Sequence, residues 1–118
     1  MAKTTYEELL EAELQEGESV IAQEKGDQWE YFLKIIGMQN QGRYFFTEKR
    51  IIFYYCLSKQ FEVYYKDIQS LELCNVGPLI RFVPTGIKST TKEGKQFYMS
   101  VMKRKEYQEL IEKQRKAN

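Results

Sequence analysis

Histidine is absent from this chain. That removes the commonest general base and the commonest imidazole ligand, and it excludes every histidine-based catalytic triad. Cysteine is nearly absent: Cys56 and Cys74 stand alone, too few for a four-ligand zinc site. Both fall in β-like runs, where a small apolar side chain is expected to lie buried as a free thiol. No apolar run approaches the roughly 18 residues of a membrane span. The opening Met1-Ala2-Lys3-Thr4-Thr5-Tyr6-Glu7-Glu8 has no signal-peptide core, so a cytoplasmic location is expected. Missing too are a phosphate loop, a dinucleotide fingerprint, a nucleophile elbow and the acidic spacing of a calcium loop. Only Tyr, Lys and carboxylates remain as catalytic material, and nothing in their pattern points to a reaction. The expectation is a non-enzyme with no cofactor and no metal.

What is present is aromatic and unevenly charged. In 118 residues there are nine tyrosines and seven phenylalanines, 42% hydrophobic residues and 30% charged ones, which suits one folded domain. Up to Phe32 nine acids face two bases, whereas from Arg81 onward ten bases face four acids. Such a dipolar chain is expected to pair its ends, within one molecule or head to tail between copies.

The periodicity changes along the chain. Thr5 and Glu8 form a capping-box pattern, and Tyr6, Leu9, Leu10 and Leu14 line one helix face, so a helix is expected over Thr5–Gln15, stopped by Gly17. Ser19–Ala22 opens a first strand, Gly26-Asp27-Gln28 reads as a turn, and Trp29–Ile36 as a second strand. The runs Gly42–Thr47 and Arg50–Leu57 around Glu48-Lys49 predict a hairpin, followed by a break at Ser58-Lys59-Gln60. Further strands are expected at Phe61–Tyr65, Ile68–Cys74 and Leu79–Val83, with Pro84 and Gly86 marking an edge or bulge. Ile87–Thr91 and Gln96–Met102 flank the Lys92–Lys95 turn, and Tyr107, Leu110 and Ile111 define an amphipathic helix over Lys103–Arg115. The fold class is therefore mainly β (α+β): an antiparallel barrel of about seven strands with a C-terminal capping helix and an extra N-terminal helix. Residues 1–16 form the N-terminal amphipathic helix and 17–118 the barrel domain.

Gly42-Arg43-Tyr44-Phe45-Phe46-Thr47-Glu48-Lys49-Arg50-Ile51-Ile52-Phe53 resembles the GRAM-type pleckstrin-homology pattern, in which a glycine-led strand ends in threonine and a Lys-Arg pair opens an apolar strand. Gln15-Glu16-Gly17-Glu18 is similar to that family's opening segment, Tyr65–Leu71 to its link between strands, and Gly94-Lys95-Gln96-Phe97 to its last turn. The likeness covers about Glu16 to Lys113. Glu16 and Glu48 stand where the family often has proline and asparagine, which points to a divergent bacterial pleckstrin-homology-like domain. The resemblance implies a barrel fold; Tyr44, Phe46, Ile51, Phe53 and Tyr55 are expected inside it, with Thr47 and Arg50 bracketing a hairpin.

The resemblance also invites lipid binding. In that family's phosphoinositide binders the loop between the first two strands carries several cations, whereas here Glu24-Lys25-Gly26-Asp27-Gln28 has one lysine between acids. The basic residues Lys103, Arg104, Lys105, Lys113, Arg115 and Lys116 form instead a candidate patch for anionic lipid, which would make the protein peripheral at the inner membrane face. Nucleic acid is a weaker fit, because the Gly42–Tyr55 run departs from the known aromatic RNA-binding order and overall charge is only +1. If Phe61, Val63 and Tyr65 point inward, Tyr64 points out, and the same alternation makes Tyr54 and Tyr98 outer-face candidates. Exposed tyrosines are good interface anchors, unless the terminal helices cover them. The leading expectation is non-catalytic binding or scaffolding by protein contact or self-association, with anionic membrane lipid as the alternative.

Overall fold

The structure, a computed structural model, describes residues 6–32, 36–79 and 81–118. A short helix α1 (Tyr6–Glu13) is followed by β1 (Val20–Phe32), β2 (Ile36–Thr47), β3 (Arg50–Tyr55), β4 (Ser58–Tyr64), a 3-10 turn at Tyr65–Asp67, β5 (Ile68–Val76), β6 (Val83–Thr91), β7 (Gln96–Ser100) and helix α2 (Arg104–Ala117). The strands make one seven-stranded sheet in the order β4-β3-β2-β1-β7-β6-β5, with every pairing antiparallel. The sheet curls into a half-barrel. β1 is its spine, pairing with β2 along its length and with β7 through Asp27–Trp29.

The expected turn at Gly26–Gln28 is not a turn. β1 runs straight through it, and the connection to β2 falls at residues 33–35, which lie outside the described residues together with part of the strand read over Trp29–Ile36. Gly26 is needed for close packing instead: a Cβ there would sit 2.5 Å from the Ser100 carbonyl and 2.9 Å from the Tyr44 ring. The segment compared with a phosphoinositide-binding loop is thus strand. Thr5 and Ile80 are also outside the described residues; of the strand read over Leu79–Val83, only Val83 joins a strand, as the first residue of β6. The pairing of β5 with β6 shifts register between Cys74 and Val76, opposite Pro84, which is the bulge that proline marks.

The inner face of the curl holds Tyr44, Phe46, Ile51, Phe53, Val63, Tyr65, Ile87, Phe97, Met99 and, from α2, Ile111, all buried. Tyr55, Phe61, Tyr107 and Leu110 pack against them half-buried. β2 and β3 are apolar without alternation because their outer face is covered as well. There α1 lays Leu10, with Tyr6, Leu9 and Leu14, over Phe45, Ile52 and Tyr54. Tyr54 is therefore buried under α1, not free on the outer face. Cys56 departs from expectation in the other direction: it is exposed, in a turn with Leu57 where both residues have positive φ, 53° and 58°.

An ion cluster pins the α1 segment to this face. The Arg50 guanidinium is buried and grips Glu18 through two bonds of 2.9 Å. It also donates to Glu13 at 3.0 Å and to Glu62, and Lys59 pairs with Glu13 at 2.9 Å. Thr47 donates its hydroxyl to Glu18 at 2.8 Å and accepts the N–H groups of Lys49 and Arg50, each at 3.0 Å. Burial alone would raise the Glu18 pKa, but the guanidinium, the Gln15 N–H and the Thr47 hydroxyl more than offset it and bring it down to about 2. Every bond of this cluster is internal, so it holds the fold together and offers nothing to a ligand.

Candidate functional site

β-Strand alternation sends Gln28 to the core side of β1 with its partner Met99, and sends Trp29 and Tyr31 to the outer side with Tyr98 of β7, which is paired to Trp29. In the connection between β5 and β6, Gly77 and Arg81 lie against the Tyr31 and Tyr98 rings. Gly77 donates its N–H to the Tyr31 hydroxyl at 3.1 Å, and Gly37 of β2 donates to the Pro78 carbonyl. The approach is close enough to require glycine: a Cβ on Gly37 would lie 2.5 Å from the Gly77 carbonyl and 2.8 Å from the Tyr31 ring. Trp29 and Tyr31 stack at 6.3 Å and Tyr31 meets Tyr98 edge-on at 4.9 Å.

Arg81 closes this cluster. Its guanidinium carbon lies 3.8 Å from the centre of the Tyr31 ring and 5.0 Å from that of Tyr98, a stacked arrangement that holds the plane of the group fixed. Burial pushes the Tyr31 hydroxyl above its ordinary pKa in spite of the Gly77 N–H and the Arg81 charge. Beside the stack a cavity of about 310 Å³ opens, lined by Trp29, Glu30, Tyr31, Arg81, Gln96 and Tyr98, with Gln28 at its edge. Trp29 is only 7% exposed, yet its indole N–H has no hydrogen-bond partner among the described residues.

The rim is apolar. Leu79 and Phe82, on either side of Arg81 in the sequence, are 68% and 66% exposed. Ile36 and Met38, the two neighbours of Gly37, are also exposed, but they pair with Phe32 and Glu30 and so belong to the other face of the sheet. Of seven exposed large hydrophobic residues among the described ones, Leu79 and Phe82 are the two that flank the stacked Arg81. Single exposed apolar residues are ordinary, but a pair beside an ordered Arg–aromatic stack is not.

The three tyrosines expected as a surface are not together. Tyr98 belongs to the stack, Tyr54 is covered by α1, and Tyr64 is half-buried at the Arg50 cluster. There Tyr64 accepts a hydrogen bond from Gln15 at 2.8 Å, with Arg50 5.6 Å from its ring. The basic residues of α2 are likewise divided. Arg104 donates to the Cys74 carbonyl at 2.7 Å, and Arg115 to the Ile68 and Gln69 carbonyls at 3.1 and 2.9 Å, so both fasten α2 to β5. Lys103 and Lys105 stand exposed at one end of the helix, Lys113 and Lys116 at the other. Near the second pair a cavity of about 470 Å³ also meets Lys66, Lys92 and Glu112.

Arg81 and Trp29 escaped the sequence reading. Arg81 sits in a Gly-Pro-bounded stretch that reads as a short strand, and a loop laid back over a sheet leaves no periodic trace. The sole tryptophan in a run of mixed polarity was the available hint.

No family model matches the chain, and no curated protein matches it. Among solved structures it is similar to the C-terminal domain of an unknown protein from Leishmania infantum, with a TM-score of 0.65 and 16% identity over 85% of this chain and 86% of that one. At that identity the likeness establishes the shared fold and nothing of function.

Proposed function

We propose that this chain is a non-catalytic binding module of the GRAM or bacterial pleckstrin-homology-like type, and that it docks a protein partner on the outer face of β1 and β7. The strand order and the C-terminal helix support the family reading. The interaction reading rests on one observation, the Arg81–Tyr31–Tyr98 stack flanked by exposed Leu79 and Phe82. Aromatic and arginine side chains held rigid and flanked by apolar surface are what interface hot spots are made of, since little side-chain entropy is left to lose on docking. Tyr98, expected from sequence as an anchor, contributes to that surface. Two free thiols, one of them exposed, support a reducing, cytoplasmic setting.

The test is site-specific photo-crosslinking from position 82 in the native host, together with light scattering of the pure protein over a concentration series. The expected result is one discrete cross-linked product, or a defined oligomer, that disappears on Leu79→Asp while the variant keeps its thermal midpoint. A protein that stays monomeric and yields no product from position 82 sinks the reading.

A further inference from the structure

We propose that the cavity beside Arg81 is a carboxylate site, built to receive an acidic side chain or C-terminal carboxylate of the docked partner, flanked there by large apolar residues. The inference rests on the docking reading above and names the chemistry of the group that would anchor it.

Two unspent donors carry the argument. The Arg81 guanidinium stacks on the faces of Tyr31 and Tyr98, and its five edge N–H groups have no hydrogen-bond partner among the described residues. A guanidinium held flat on aromatic rings keeps its fork oriented for two parallel bonds to a carboxylate. The second donor is the Trp29 indole N–H, buried and without a partner among the described residues. Both residues line the same 310 Å³ cavity. A buried donor left unmade costs free energy that a ligand acceptor recovers.

The charge of the site selects among acceptors. Glu30 borders the same cavity, its carboxylate accepting a hydrogen bond from Asn40 at 3.3 Å, so one carboxylate stands beside the one guanidinium and the site has no net positive charge for a phosphate dianion. A monoanionic carboxylate, held by directed bonds more than by field, is the better match. Exposed Leu79 and Phe82 on either side of Arg81 call for apolar neighbours on the incoming chain.

The protein has one tryptophan, so the indole N–H gives one unambiguous nuclear magnetic resonance signal. Titration with N-acetyl-phenylalanine should move it downfield saturably, whereas N-acetyl-phenylalanine amide should bind about tenfold more weakly or worse. Arg81→Gln should erase that preference for the carboxylate. Trp29→Phe, followed through the Arg81 side-chain signal, should weaken carboxylate binding by about fivefold to tenfold while keeping the ring bulk. Arg81→Lys, which keeps charge without the fork, controls for a collapsed loop and should retain a reduced preference. Equal affinity for acid and amide, an unmoved indole signal, or a response to inorganic phosphate as strong as that to the acid overturns the proposal. Carboxylate binding without any cross-linked partner would leave this site standing and remove the docking reading; a partner captured at position 82 with no carboxylate preference would do the reverse.

Discussion

At the scale of single residues, Arg50 decides most. Its position was legible in the sequence as the residue opening a strand after Thr47, and the two do bracket the β2–β3 hairpin. Its partners were not legible, because Glu18 and Glu13 lie 32 and 37 positions away in the chain and only the fold brings them together. Removing one side of a buried ion pair leaves the other charged and unsolvated, so Arg50→Ala is expected to cost about 3–5 kcal/mol, read as a lowered urea midpoint with an unchanged slope. Glu18 gives the matching pH dependence. Its folded pKa of about 2 lies below the ordinary 4.5, so the unfolded chain binds the proton first as acid is added. The stabilisation is complete above pH 4.5 and drains away as pH falls toward 2. It is on the order of 3 kcal/mol for such a shift. Glu18→Gln should lower stability at pH 7 and flatten the loss between pH 5 and 2, measured by urea midpoints across that range.

At the scale of elements, strands were legible where residue types alone dictate them and turns only where a turn residue announces itself. The hairpin at Glu48-Lys49, the β6–β7 turn and the inward set Phe61, Val63 and Tyr65 follow the sequence reading. The β3–β4 turn falls two residues earlier than read, at Cys56-Leu57, because neither residue is a usual occupant of positive φ; the polar Ser58-Lys59-Gln60 that looked like the break is strand. The misreading at Gly26 has the opposite cause, a glycine conserving space between packed groups where a turn was expected. The β3–β4 turn is correctable. Two positive φ values are what Asn-Gly adopts readily, while Cys and Leu there carry strain of roughly 1–2 kcal/mol per residue. Part of that gain is returned to the greater freedom of glycine in the unfolded chain. The double substitution Cys56→Asn, Leu57→Gly should therefore stabilise the protein by about 1 kcal/mol, seen as a thermal midpoint several degrees higher; a lower midpoint would mean that the Leu57 side chain supports α1 more than the turn strains.

At the scale of the whole molecule, the charge asymmetry was plain in the sequence but its use was not. The acidic N-terminal stretch is held mainly by the middle of the chain: Glu7 pairs with Arg43 at 3.5 Å, and Glu13 and Glu18 with Arg50, while Glu24 meets the C-terminal helix through the Tyr107 hydroxyl, which donates to it at 2.9 Å, not through a basic residue. The C-terminal arginines are spent on backbone carbonyls of β5. What the helix leaves to solvent is two pairs of lysines, and ten residues separate Lys103 from Lys113, about 15 Å along a helix. That exceeds the screening length of about 8 Å at physiological salt, so a flat anionic surface would feel two weak pairs instead of one patch of six. At about 1 kcal/mol per charge, a pair supplies about 2 kcal/mol, too little to hold a protein on a bilayer. Flotation with vesicles of mixed phosphatidylserine and phosphatidylcholine should accordingly be absent at physiological salt and faint at low salt. Charge reversal of Lys103 and Lys105 should change the low-salt fraction without touching contacts made through Phe82. Strong flotation at physiological salt, lost on that reversal, would instead make the membrane the partner and the aromatic end of the sheet a bystander.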